Sequence, residues 1–164
     1  MFFEKFANCE ENIRVSFADD YKILSEEIIK KYNTDLIQQR LNYELYDIEE
    51  KQMKYEDCDG LANQQYSISV NKNSRPSMLV QNDGCMRADI SRELDIIYKK
   101  YKYVYDNKFS IIEKNLFMQL YIYKRSGNSI RRILHIAYPT FQLINKSVII
   151  KIGNYLGWEE ASMR

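Results

Sequence analysis

The sequence predicts an all-α protein, and three observations support that fold class. The chain has 164 residues but only 5 Gly and 2 Pro, so few residues interrupt helices or form tight turns. Apolar residues recur three and four positions apart over long stretches, which is the spacing of one face of an α-helix. Aspartate, threonine and serine residues precede several of these stretches, where their side chains can cap a helix.

The composition is that of a globular domain. Charged residues make up 29% of the chain and hydrophobic residues 45%, which excludes the disordered and collagen-like classes. No apolar run approaches the roughly 18 residues that a membrane-spanning helix needs. The N-terminus lacks the basic-then-apolar order of a signal peptide, so we expect a cytoplasmic protein with no membrane partner.

The first 57 residues are predicted to form an N-terminal helical segment, folded as a hairpin. Asp19-Asp20 can cap a helix that runs to about Tyr32. Thr34 opens a second, longer helix to about Asp57, whose apolar residues form a stripe down one face. That stripe consists of Leu41, Leu45, Ile48 and Tyr55.

Residues 58–87 are predicted to be a long polar loop or linker. Turn-forming residues are concentrated here, as in Asp59-Gly60, Arg75-Pro76 and Asn82-Asp83-Gly84. Loops of this length are usually functional or mobile.

Residues 88–164 are predicted to contain a long helix that leads into a C-terminal domain. The helix runs from Ala88 to about Asp106, and its apolar residues step by four, three, four and three, as in a heptad seam. The seam consists of Ile90, Leu94, Ile97, Tyr101 and Val104. It makes a homodimer plausible, although packing against residues 36–55 of the same chain explains it equally.

The C-terminal domain is predicted to contain three helices joined by short turns. Ser110 and Glu113 form a capping box that starts the first helix, and Gly127 ends it as a C-cap. Ser129 caps a short second helix, and Pro139 lies in the first turn of the last helix, where proline is favoured. The last helix is expected to bury Ile144, Val148, Ile152 and Tyr155 and to end at Gly157.

This order of helices and turns is typical of a helix-turn-helix, which we assign to residues 109–157. In that motif the last helix enters the major groove of DNA and the preceding helix faces phosphates. Phosphate contacts are expected from Arg131, Arg132 and Lys151. Base contacts are expected from the start of the last helix, at Tyr138, Thr140, Gln142, Asn145 and Lys146. A generic three-helix bundle with short loops produces the same spacing and is an alternative.

The charge distribution favours a polyanion partner for the C-terminal third. Residues 1–106 carry 15 Lys+Arg and 20 Asp+Glu, a net charge of −5. Residues 107–164 carry 9 and 3, a net charge of +6. A basic end on an acidic body is typical of a protein that binds double-stranded DNA with one end and another partner with the body. A solvated surface with uneven charge is the alternative.

Several stretches of the C-terminal domain resemble a known family. Phe109-Ser110-Ile111-Ile112-Glu113-Lys114, Leu120-Tyr121-Ile122-Tyr123 and Ser129-Ile130-Arg131-Arg132-Ile133 resemble region four of sigma factors. They resemble more closely the phage-encoded late transcription activators of Gram-positive hosts, the RinA and ArpU families. The segment Ile136-Ala137-Tyr138-Pro139-Thr140 is similar to the turn before the recognition helix of that family.

The resemblance covers roughly residues 35–158. It implies a sequence-specific DNA-binding transcription regulator that acts with host RNA polymerase in the host-cell cytoplasm. The last helix departs from the family by having Leu143, Asn145 and Ser147 where basic residues are usual. The alternative is therefore a non-enzymatic helical interaction or inhibitor protein of phage origin that does not bind DNA specifically.

No catalytic or metal centre is predicted. Cys9, Cys58 and Cys85 are far apart, and His135 is the single histidine, so neither a disulfide framework nor a zinc-ligand spacing is present. The sequence contains no GxSxG, P-loop or HExxH motif. We expect a protein that is not an enzyme and that has no cofactor.

Overall fold

The computed structural model describes residues 2–7, 22–68 and 78–163, with side chains in 2–7, 22–57 and 86–163. Within these ranges the chain forms helices and no strand, which confirms the all-α prediction. The helices are α1 (Phe2–Ala7), α2 (Glu26–Ile29), α3 (Thr34–Ile68), α4 (Met78–Lys108), α5 (Ile111–Phe117), α6 (Gly127–Leu134) and α7 (Tyr138–Leu156). A π-helical turn (Met118–Ile122) follows α5, and a 3-10 turn (Glu159–Ala161) follows α7.

The long hairpin of the protein is formed by α3 and α4, which make the most extensive contact between any two elements. Lys51 forms an ion pair with Glu93, and Arg87 donates to the hydroxyl of Tyr55. Positions that advance along α3 therefore meet positions that recede along α4, so the two helices are antiparallel. The sequence instead predicted a hairpin between a helix that ends near Tyr32 and the helix that begins at Thr34. The structure corrects this prediction, because the long hairpin is formed by α3 and α4.

Helix α2 is shorter than predicted. Residues 22–25 are not helical, and Ser25 caps the four-residue helix Glu26–Ile29 by accepting a hydrogen bond from the Ile28 amide. A helix of one turn buries little surface, so it cannot form one arm of a hairpin. The predicted cap, Asp19-Asp20, lies outside the described residues.

The segment predicted as a polar loop, residues 58–87, lies between α3 and α4, and helix is described at both of its ends. Helix α3 extends to Ile68 and α4 begins at Met78, so regular helix enters the segment from both sides. Glutamine and other polar residues tolerate a solvated helix well, and a polar composition alone does not distinguish such a helix from a loop. Residues 69–77 lie outside the described part of the chain.

The heptad-like seam of α4 serves packing within the chain. Leu94, Tyr101 and Val104 are buried in the same core as Ile37 and Leu41 of α3. The seam's remaining members, Ile90 and Ile97, are partly buried against that core. Of the two interpretations of this seam, the structure supports packing against α3.

Helix α7 lies at the centre of the bundle, in contact with α2, α3, α4, α5 and α6. Its buried residues are Phe141, Ile144, Ser147, Val148, Ile149, Ile150, Ile152 and Gly153. Pro139 lies in its first turn and Gly157 ends it with a φ of 71°, as predicted. Tyr155 was predicted to be buried but is 42% exposed. It stacks on Tyr103 at the surface, with ring centroids 4.8 Å apart.

The capping box at the start of α5 is confirmed, but the turn before α6 differs from the prediction. Ser110 and Glu113 make both hydrogen bonds of the box. Gly127 is the first residue of α6 and not a C-cap; the left-handed residue of this turn is Lys124, with a φ of 54°. Ser126 caps α6 by accepting from the amide of Ser129, the residue predicted to be the cap.

A buried ion pair joins α5 to α7. Lys151 Nζ lies 2.8 Å from Glu113 Oε2 and 3.0 Å from Oε1, and the Ser147 hydroxyl donates to Oε1 at 2.9 Å. The ammonium also donates to the carbonyl oxygens of Lys22 and Lys108, both at 2.9 Å. An ammonium has three N–H donors, so these partners satisfy all of them.

The same network reaches the segment before α2. The backbone amide of Leu24 donates to Ser147 Oγ at 2.9 Å. One residue of α5 and two of α7 thus bind the C-terminal end of α4 and the extended segment 22–25. Glu113 is fully buried and the Lys151 side chain is 12% exposed, so little water competes for these bonds.

Replacing one residue of the Glu113–Lys151 pair is expected to lower the free energy of unfolding more than replacing both. In Lys151→Met the Glu113 carboxylate loses its counterion, and a broken buried pair typically costs about 3–5 kcal/mol. In Glu113→Gln/Lys151→Met no charge is left buried, so the loss should be smaller than in the single variant. Urea unfolding followed by circular dichroism at pH 7 measures both; a double variant at least as unstable as Lys151→Met would contradict this account.

The titration of Glu113 gives a second prediction. Burial raises the pKa of this carboxyl above its ordinary value, although the hydrogen bonds and charge of Lys151 act in the opposite direction. The folded state therefore holds the proton to a higher pH than the unfolded state does. Glu113's contribution to the free energy of unfolding should be largest below its unfolded pKa and should fall as the pH rises through the folded pKa.

The comparison that isolates this contribution uses Glu113→Gln, which cannot titrate at this position. The stability of the wild type relative to Glu113→Gln should decrease from about pH 4 upward. If the relative stability of the wild type instead increases over that range, the attraction of Lys151 outweighs burial and the pKa is lowered.

Candidate nucleic-acid interface

The segment that contains α6 and α7 carries basic residues and almost no acidic ones. The sequence from Lys114 to Trp158 contains no aspartate or glutamate. Its basic residues are Lys114, Lys124, Arg125, Arg131, Arg132, Lys146 and Lys151. Glu113 neutralises Lys151, and Lys124 forms an ion pair with Glu49 of α3. Among the residues that the structure describes, none forms an ion pair with Arg131 or Arg132 of α6 or with Lys146 of α7.

Helix α6 is a short amphipathic helix that meets α7 at a tight turn. Ile130 is its buried residue, and Arg132 and Ile133 are exposed. His135 ends the helix with a φ of 53°. This left-handed residue reverses the chain, and α7 begins three residues later. The order of a short helix, a tight turn and a longer helix was predicted from the sequence; the turn consists of residues 135–137.

We call the surface made by this turn and its flanking helices the α6–α7 corner. It consists of Arg131, Arg132, Tyr138, Thr140, Gln142 and Lys146. Arg132, Tyr138, Thr140 and Gln142 are exposed, whereas Arg131 and Lys146 are partly buried. These are six of the eight residues predicted from the sequence to contact DNA, and all of them belong to α6 or the first half of α7.

Tyr138 is held between two other residues of the corner. The Arg131 guanidinium lies 5.4 Å from the centroid of its ring, a distance at which a cation is attracted to the aromatic face. Gln142 Nε2 donates to the Tyr138 hydroxyl at 2.5 Å, one helical turn further along α7. The three side chains therefore form a connected polar group on the surface, with the tyrosine at its centre.

Helix α7 begins without a side-chain cap. Ala137 occupies the N-cap position and makes no side-chain hydrogen bond. Serine, threonine, asparagine or aspartate at this position would satisfy an amide of the first turn. The amides of the first turn of α7 therefore lack this internal partner at the point where the corner is most exposed.

Asn145 is partly buried and belongs to a hydrogen-bond network with other elements. The Tyr121 hydroxyl donates to Asn145 Oδ1 at 2.6 Å, and Asn145 Nδ2 donates to Gln38 Oε1 at 3.0 Å. Burial raises the pKa of the Tyr121 phenol, so it remains a donor at neutral pH. These contacts join α3, the π-helical turn and α7.

This network faces an open cleft of about 570 Å³ between α3 and the α6–α7 region. Leu45, Tyr46, Leu120 and Phe141 supply apolar parts of its lining. Neither the cleft nor its polar residues Gln38 and Tyr121 were predicted from the sequence. Their partners lie far away in the sequence, and no local pattern indicates such a pairing.

Lys151, the remaining predicted phosphate contact, is occupied by Glu113 and by two backbone carbonyls. Of the eight predicted residues, Arg131, Tyr138 and Gln142 are joined by direct contacts, whereas Asn145 and Lys151 bond to residues of other elements. Among the residues that the structure describes, no group of three or more His, Cys, Asp or Glu side chains is arranged to hold a metal ion.

Over the same described residues, no helix combines the length and the apolar character needed to cross a membrane.

Comparisons of the chain with protein-family models, with curated proteins and with solved structures find no match.

Proposed function

We propose that the protein is a DNA-binding transcription regulator of the phage late-activator type, acting with host RNA polymerase, and that the α6–α7 corner contacts the DNA. The observation that supports this proposal is the group of arginine, lysine, amide and hydroxyl side chains on α6 and the first half of α7, of which Arg132, Tyr138, Thr140 and Gln142 are exposed. The segment 114–158 contains no acidic residue. Cations that are free to meet phosphates supply most of the affinity of a protein for a DNA duplex.

In this proposal some residues of the corner bind phosphates and others read bases. Arg132 and Lys146 bind phosphates, and Arg131 both contributes charge and holds the Tyr138 ring in position. The uncapped first turn of α7 offers backbone amides to a phosphate, as helix N-termini commonly do. Phosphate contacts of this kind position a protein on the duplex without reading its sequence.

Base reading is assigned to Thr140 and Gln142, which are exposed on the first turns of α7. A glutamine amide presents one donor and one acceptor, which match the N7 and N6 groups of adenine in the major groove. Gln142 already donates to Tyr138, so it would exchange that bond for one to a base. Asn145 and Lys151 take no contact role here; they hold α7 against α3 and α5.

The second candidate function is that of a helical protein-interaction or inhibitor protein that does not bind DNA specifically. The observation that favours it is a row of exposed large apolar residues on α3. Leu36, Tyr43, Tyr46 and Met53 are 46–70% exposed. A row of exposed apolar residues on a surface commonly marks a binding site for another protein.

The phosphate assignment predicts a specific change in salt dependence. Arg132→Ala/Lys146→Ala should weaken binding to any duplex and lower the slope of log K against log salt concentration by about 1.8, because two phosphate contacts are lost. Fluorescence anisotropy from about 50 to 200 mM salt measures the slope. The matched control is Lys30→Ala/Lys31→Ala, which removes the same charge from exposed residues near α2.

Equal weakening by both double variants would mean that only total charge matters and that the corner is not the contact surface. Absence of binding by the wild type at the low-salt end would remove the DNA proposal and leave the protein-interaction function.

The base-reading assignment predicts a loss of discrimination. Gln142→Ala should reduce the preference for a selected site over random DNA by about 1–3 kcal/mol, the usual contribution of one bidentate base contact. Competition binding with selected and random duplexes measures this preference. Asn154→Ala is the control, because it removes an exposed amide from the other end of α7. Equal losses on both duplexes after Gln142→Ala would show that this residue does not read bases.

A further inference from the structure

The outward face of α3 has the pattern of a coiled-coil seam. The most exposed large apolar residues of this helix are Leu36, Tyr43, Tyr46 and Met53. They follow one another at steps of seven, three and seven, so with Gln39 and Glu50 they occupy successive a and d positions of a heptad. This seam lies opposite the residues that face the core, Ile37, Leu41 and Ile48, which are at most 1% exposed. We call these six exposed residues the outer seam.

The outer seam spans about 26 Å, at 1.5 Å per residue from Leu36 to Met53. Four large apolar side chains in one row exceed the scattered exposed apolar residues that any soluble protein carries. The described elements that pack on α3 include α4, α7 and the 3-10 turn, and they leave the members of this row 46% exposed or more.

The outer seam is symmetric about its own midpoint, which lies between Glu44 and Leu45. Leu36 and Met53 are equally distant from that point, and so are Tyr43 and Tyr46. Gln39 and Glu50 form the third such pair. A row with this symmetry matches a second copy of itself when the two helices run in opposite directions. A two-fold interface of this kind brings the same patch of each subunit together.

We propose that the outer seam is a dimer interface in which α3 packs antiparallel against α3 of a second copy of this chain. In this arrangement Leu36 packs on Met53 of the partner subunit, and Tyr43 packs on Tyr46 of the partner subunit. Each a position therefore faces a d position, which is the layer pairing of antiparallel coiled coils. The inference is independent of the DNA proposal, because it uses a different helix and different residues.

Charge favours the antiparallel over the parallel arrangement of the two α3 helices. A parallel alignment would place Glu50 beside Glu50 of the partner subunit, and buried like charges repel. The antiparallel alignment places Gln39 opposite Glu50 of the partner subunit, where the amide can donate to the carboxylate. A polar pair inside a coiled-coil seam fixes the register at some cost in stability, so we expect a reversible dimer.

The first test is sedimentation velocity of the full chain from about 1 to 100 µM, the range in which moderate-affinity dimers dissociate. The wild type should form a dimer at the upper end of that range. Tyr43→Glu should raise the dissociation constant about tenfold or more, since buried tyrosines are frequent hot spots of interfaces. Ile96→Glu is the matched control: Ile96 is a 54% exposed apolar residue of α4, and its change should leave the dimer intact.

A wild type that is monomeric at the highest concentration would overturn the proposal. A dimer that is insensitive to Tyr43→Glu would overturn it as well, because the interface would then lie elsewhere. Tyr43 is 70% exposed, so its replacement should leave the fold unchanged, and far-ultraviolet circular dichroism verifies this.

The second test distinguishes the two directions. Gln39→Lys should tighten the antiparallel dimer by about threefold to tenfold, because each new lysine faces Glu50 of the partner subunit. In a parallel dimer the same change would place two lysines together and weaken association. Adding Glu50→Lys to Gln39→Lys should abolish the gain and make the dimer weaker than that of the wild type. Weaker association of Gln39→Lys alone would overturn the antiparallel arrangement.

Discussion

The arrangement of the helices depends on one buried interaction, the ion pair between Glu113 and Lys151. The carboxylate begins as part of a local capping box with Ser110 and then accepts bonds from Ser147 and Lys151 of α7. The ammonium in turn binds carbonyls at the end of α4 and in the segment before α2. Four separate parts of the chain therefore meet at a pair of charges that would be costly to bury singly.

The position of this pair divides α7 into two parts with different roles. The second half is surrounded by other helices and contains Ser147, Lys151 and the buried isoleucines. The first turns carry the exposed side chains of Tyr138, Thr140 and Gln142. A helix held so firmly at one end presents its other end in a defined orientation, which is the condition that groove reading requires. Our functional proposal uses this free end together with α6.

Local rules predicted much of the C-terminal region. The capping box at Ser110, the start of α7 at Pro139 and its end at Gly157 each depend on residues close together in the sequence. Packing of α4 against α3 was only one of two interpretations of the α4 seam, because a helical period shows which face is buried but not which helix covers it. For the same reason Glu113 was interpreted as a cap alone, and Asn145 and Lys151 as surface residues.

A nuclear magnetic resonance titration of the full chain with duplex DNA tests the proposed contact surface most directly. Amide shifts should change in α6 and the first turns of α7, while the amides around Ser147 and Lys151 stay unchanged. Changes confined to α3 and α4, or spread evenly over the basic residues, would contradict a contact surface at the α6–α7 corner.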